Sequence, residues 1–99
     1  MILLNKTLSF AESVQKEGIE WLNQIYIPLL QACPLIKHAL LFKIDTQQDA
    51  DDCFALQITF ETVKEYTNFC NSYQDDFDNA LLLKFQNKMG VFKTVLRQL

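Results

Sequence analysis

The stretch Met1-Ile2-Leu3-Leu4-Asn5-Lys6-Thr7-Leu8-Ser9-Phe10, MILLNKTLSF, alternates with a period of two. Ile2, Leu4, Leu8 and Phe10 fall on one face, and Asn5, Thr7 and Ser9 on the other. Successive side chains of a strand point to opposite sides of its sheet, so this is a half-buried β-strand. Lys6 interrupts the apolar face. Its aliphatic stem is expected to lie along its neighbours while the ammonium reaches water.

From about Ala11 the period changes. Val14, Gly18, Trp21, Leu22, Ile25 and Leu29 recur mostly at three- and four-residue steps, which predicts a helix with one buried stripe. Pro28 has no N–H for the carbonyl of Gln24 and crowds it, so the helix should kink or restart there, with Ile27 pushed out of helical geometry. Pro34 ends the segment. Leu35 to Ile44 reads as a second strand, with Ile36, His38, Leu40, Phe42 and Ile44 on one face and Lys37, Ala39, Leu41 and Lys43 on the other. The polar run from Asp45 to Asp52 is a loop, and its acidic end lacks the spacing and glycine of a calcium loop. Cys53 to Phe60 is a third strand, with Phe54, Leu56, Ile58 and Phe60 inward.

Thr62 and Glu65 have capping-box spacing, and Val63, Tyr66, Cys70, Tyr73 and Phe77 continue as a second helix. The acidic Asp75, Asp76 and Asp78 are expected to loosen it before Ala80 to Phe85 resumes. Met89 to Leu96 is the last strand. The order β-α-β-β-α-β predicts an α+β, ferredoxin-like antiparallel sheet with both helices on one face and strands one and three central. The opposite face would carry Asn5, Thr7, Ala39, Leu41, Ala55, Gln57 and Thr59.

The 99 residues are expected to form one domain, residues 1–99. A content of 49% hydrophobic and 21% charged residues excludes disorder. Eight Phe, three Tyr and one Trp are more large apolar side chains than so short a chain needs for its own core, which points to a homodimer. A net charge of −3 with no basic block disfavours nucleic acid as a partner. No apolar run approaches the ~20 residues of a membrane span, and Met1 to Leu4 lacks the features of a signal peptide. Cys33, Cys53 and Cys70, an odd number without CxxC spacing, read as reduced residues of a cytoplasmic protein, neither a disulfide framework nor a metal site.

Trp21 followed by Ile27-Pro28, then Phe54-Ala55-Leu56-Gln57, then the closing segment Phe85 to Leu96, resembles a group of short bacterial proteins classed as a domain of unknown function. Its members tend to show a W…HIP motif and a closing F..K…F.T.L motif, and the likeness spans nearly the whole chain. The resemblance implies a dimeric α/β-barrel, in which two ferredoxin-like sheets stack face to face, and it supplies no activity. Where the family often has His before the Ile-Pro pair, this chain has Tyr26. Imidazole titrates near ~6.5 and phenol near ~10, so Tyr26 cannot serve as a proton shuttle at neutral pH.

No catalytic constellation is evident. His38 is the only histidine, and nothing in the sequence pairs it with a cysteine nucleophile. Some dimeric α/β-barrel enzymes hold haem through a histidine, and for His38 such a role rests on fold analogy alone. Trp21 and Tyr26 lie about 140° apart around an α-helix, so they are not expected to point into one narrow cleft unless the kink at Pro28 turns Tyr26; Trp21, on the buried stripe, is assigned to the core. Tyr26 and Gln24 are assigned to the mouth of a cleft. Asn5, Thr7, Gln57 and Thr59 would point the same way from adjacent central strands and could line a polar cavity inside a dimeric barrel. Lys88, near Phe92 and Thr94, reads as a surface ion-pair partner. The sequence thus suggests a non-catalytic homodimeric barrel with no cofactor, binding a small ligand or a partner protein. A small monooxygenase-like enzyme, cofactor-independent or haem-using, is the alternative.

Overall fold

The computed structural model describes residues 1–45 and 52–99, so most of the polar loop lies outside the described residues. The elements are β1 (Ile2–Phe10), α1 (Glu12–Trp21), α2 (Ile27–Ala32), β2 (His38–Ile44), β3 (Cys53–Phe60), α3 (Val63–Ser72), α4 (Gln74–Phe85) and β4 (Met89–Arg97). The four strands form one antiparallel sheet in the order β2-β3-β1-β4, with β1 and β3 in the centre as expected. Alternation along β1 sends Ile2, Leu4, Lys6, Leu8 and Phe10 toward the helices, and all are buried. Facing them from the helices are Leu22, Leu30, Phe69, Leu81 and Phe85, so the core is a single layer between sheet and helices. This is a ferredoxin-like α+β fold.

The join between α1 and α2 departs from the sequence reading. Leu22–Tyr26 form a π turn, in which the N–H of Ile27 reaches back five residues to the carbonyl of Leu22. A regular α-helix would press the ring of Pro28 against the carbonyl of Gln24; the wider turn relieves that crowding. The chain therefore passes Pro28 without breaking, and Ile27 stays helical (φ −63°, ψ −44°). The extra residue in the turn shifts the buried stripe. Tyr26, Ile27 and Leu30 turn inward, whereas Ile25 and Leu29, expected inside, are about half exposed.

Two further corrections concern β2 and the second helical segment. The stretch 33–37 turns instead of extending, so the strand starts at His38. Register then places Ala39 opposite Ile58 and Leu41 opposite Leu56, on the helix side. Leu40 and Phe42, opposite Gln57 and Ala55, take the outer face instead. Both faces of β2 carry apolar residues, so alternation could not decide between them. In the second segment the chain breaks at Tyr73, ahead of the acidic run. Asp75 and Asp76 occupy the first turn of α4, where carboxylates oppose the positive end of the helix dipole. The Thr62 cap forms as expected, its hydroxyl accepting from the N–H of Glu65 at 3.2 Å.

Gly18, buried in α1, meets Phe10. A Cβ at this position would lie 2.6 Å from the Phe10 ring, which is itself held by the rings of Phe54 and Phe85. The Gly18→Ala variant should therefore unfold at lower urea concentration than the parent. The overpacking cost of about 1–3 kcal/mol outweighs the gain of about 1 kcal/mol in helix propensity. A midpoint equal to or above the parent's would show that Phe10 can yield.

Candidate functional site

Lys6 sits at the centre of β1, on the helix side of the sheet, between Leu56 of β3 and Lys93 of β4. The expectation that its ammonium would reach water fails: Lys6 is fully buried. Its stem lies in the apolar layer, and α4 closes over the ammonium. Asp78, in the second turn of α4, accepts from Lys6 Nζ through Oδ1 at 2.9 Å. The other carboxylate oxygen, Oδ2, accepts from Lys93 Nζ. One carboxylate thus bridges two ammonium groups on adjacent strands.

Tyr26 completes the cluster from the opposite side of α4. Its hydroxyl lies 3.4 Å from Lys6 Nζ and donates to the carbonyl of Phe77 at 3.0 Å. The Lys6 ammonium also lies 5.9 Å from the centre of the Tyr26 ring, close enough for a cation–π attraction. The π turn brings Tyr26 here. In a turn closed by a five-residue hydrogen bond, positions five apart stack, so Trp21 and Tyr26 lie ring against ring with centroids 5.3 Å apart. Phe77 meets Tyr26 edge-on at 5.7 Å. Among the described residues, no buried side-chain polar atom lacks a hydrogen-bond partner.

The electrostatics follow from burial. Loss of water pulls the Lys6 amine below its ordinary range; the hydrogen bond and charge of Asp78 oppose that, and the Lys93 charge adds to it. Burial alone would raise Asp78, but the hydrogen bonds from Lys93 and Lys6 and their charges overcome it and hold the carboxyl below the ordinary range. Burial, with the Asp78 charge, pushes the Tyr26 phenol upward, so it is a neutral donor at physiological pH.

Grooves flank α4 on both sides. One, of about 410 Å³, runs between α4 and β4 and is lined by Asp78, Leu81, Leu82, Val91, Phe92 and Lys93. The other, about 320 Å³, lies between α4 and the π turn; Trp21, Tyr26, Leu29, Tyr73, Asp76, Phe77 and Ala80 line it.

The structure divides the residues singled out in the sequence. Asn5, Thr7, Gln57, Thr59 and His38 do share one face, the outer face of the sheet. Asn5 pairs with Gln57, Thr59 pairs with His38, and the Asn5 amide donates to the Thr7 hydroxyl at 3.1 Å. His38 is exposed at the start of β2. Tyr26, expected at a cleft mouth, is instead fully buried on the other side of the sheet, and Gln24 is exposed on the π turn. Lys88 is also exposed, in the turn before β4. Asp78 and Lys93 were missed. The signal for them was Lys6 itself: a charge on the inward face of a central strand needs a counter-charge from whatever covers it.

Fold and core define a ferredoxin-like α+β protein, and comparison with solved structures agrees. The chain is similar to an ethyl tert-butyl ether d (EthD) family protein from Bacillus halodurans, with 10% identity, a TM-score of 0.74 and 100% of both chains covered. A protein from Deinococcus radiodurans, described provisionally as an antibiotic biosynthesis monooxygenase, is 13% identical with a TM-score of 0.68, over 99% of this chain and 92% of that one. A dabb family protein with a ferredoxin-like fold from Mesorhizobium loti is 16% identical with a TM-score of 0.58, over 100% and 99% of the two chains. At such identities the likeness is one of fold. No curated protein matches in sequence. The chain belongs to the family described as a domain of unknown function (DUF4286), which it matches over residues 1–99.

The cluster sets an unequal pair of mutational costs. Asp78→Asn leaves the buried Lys6 ammonium without its counter-ion and should destabilise the fold by about 3 kcal/mol in urea unfolding. Lys6→Met removes the buried charge while Asp78 keeps Lys93, and should cost less than about 1 kcal/mol. Equal losses would mean that Lys6 is not held as a buried cation. The pH dependence has a definite sign. Asp78 is held below its ordinary value of 3.8, so its contribution is full above that pH and declines as pH falls through the native value. The native Lys6 value lies below 10.5, so the cost of charging it is present at neutral pH and is relieved as pH rises toward 10.5.

Proposed function

We propose that this protein is a homodimeric α/β-barrel module that binds a small molecule without catalysing a reaction. The observation that carries this reading is the outer face of the sheet. Leu40 and Phe42 at one edge and Phe92 and Leu96 at the other are 52%, 47%, 69% and 52% exposed. Between these apolar margins lie the polar Asn5, Thr7 and Gln57. Sheets pack face to face about 10 Å apart, and a second copy laid on this face would cover the apolar margins. It would also enclose the polar centre, where Asn5, Thr7, Gln57, Thr59 and His38 could contact a ligand. Gln24 and Tyr26 would belong to a separate region beside α4.

The alternative is a small monooxygenase-like enzyme on the same fold. The provisional description of the Deinococcus radiodurans protein is its support, and for this chain that is fold analogy. Haem titration separates the two readings: a Soret shift abolished by His38→Ala would favour the enzyme.

Native mass spectrometry tests the dimer. The expected mass is twice 11.5 kDa, and Phe42→Glu, which buries a charge in the contact, should return the protein to the monomer. A parent protein that is monomeric at micromolar concentration would refute the reading.

A further inference from the structure

We propose that the groove between α4 and β4 is a binding site for small monocarboxylic acids with an apolar chain or ring, the carboxylate seated beside Lys93. This deepens the small-molecule reading above and rests on it, but not on dimerisation. Charge balance is the first argument. Two ammonium groups, Lys6 and Lys93, share the single carboxylate of Asp78, which leaves one positive charge uncompensated. Among the described residues, Asp78 is the only carboxylate that forms an ion pair with Lys6 or Lys93. Lys6 is fully buried and directs its charge at Asp78, whereas the Lys93 side chain is 37% exposed at the rim of the groove. An ammonium has three donors, and Lys93 gives one to Asp78, so donors remain for a second carboxylate arriving from the groove.

The walls supply the second argument. Leu81 and Leu82 of α4 face Val91 of β4 across the groove, and its volume of about 410 Å³ suits a small organic ligand. Leu82 and Val91 are 56% and 40% exposed, so an apolar body lying here would remove their apolar surface from water. The groove on the other side of α4 is an internal contrast. Its walls are also apolar, but its charged residue is Asp76, which would repel an acid. The positive end and the apolar body together match an acidic amphiphile, and distinguish it from an alcohol or amine of the same length.

The test uses octanoate, octanol and octylamine with the full-length protein at neutral pH, followed by amide chemical shifts. Octanoate should perturb residues 81–82 and 91–93 and bind at least about ten-fold more tightly than octanol, as a charge-assisted hydrogen bond implies. Lys93→Gln should reduce octanoate to the affinity of octanol and leave octanol unchanged. Leu82→Glu, at an exposed position where folding is not at stake, should abolish octanoate binding. Octanol or octylamine binding in this groove as tightly as octanoate would overturn the acid class and leave the small-molecule reading standing. Binding of none of the three, or octanoate settling elsewhere, would overturn the site; failure of all three would also count against that reading.

Discussion

The contact between Lys6 and Asp78 ties the sheet to the helix that covers it. A central strand must bury whatever its inward face carries, and position 6 carries an ammonium. Leaving it unpaired in an apolar layer would cost several kcal/mol, so the covering helix must deliver a carboxylate to that point. Asp78 does so from the second turn of α4, while Leu81 and Phe85, three and seven positions on, fill the layer beside it. The ion pair is made at one rotation of α4 about its own axis, the rotation that also sets the grooves along both its flanks.

The π turn performs a related service on the neighbouring helix. Pro28 would strain a regular helix, and the inserted residue removes that strain while turning Tyr26 into the core. Tyr26 then joins Trp21, Phe77 and the Lys6 ammonium in one packed unit. Phenol suits this place for two reasons. It stays neutral, and it offers one donor to the Phe77 carbonyl with an oxygen left for the lysine. Tyr26 thus sits in contact with the buried charge.

The two faces of the sheet divide the chemistry. Inward lie the core, the ion cluster and the grooves beside α4. Outward lies a half-polar surface with apolar margins, suited to a second sheet. Because β1 contributes alternate residues to both, Asn5 and Thr7 to one and Lys6 to the other, it links the proposed subunit contact to the proposed ligand site through a single rigid strand.

Much of this was legible in the residues. Strict alternation in β1 and β3 and the change of period at Ala11 fixed the element order, and the order fixed the sheet topology, because few connections join such elements without crossing. Thr62 and Glu65 marked the start of α3 by local chemistry. Periodicity failed where two outcomes had equal hydrophobic content: the apolar residues of β2 suited either face, and Trp21, Ile25 and Leu29 suited a regular helix as well as Leu22, Tyr26 and Leu30 suit the π-shifted one. The partner of Lys6 was beyond the reach of sequence for another reason. Asp75, Asp76 and Asp78 are equivalent as residues, and only the docking angle of α4 over β1 puts one of them 2.9 Å from the ammonium. Local pattern determined the elements; which carboxylate meets the buried lysine was decided only in the packed state, where the ammonium loses its water.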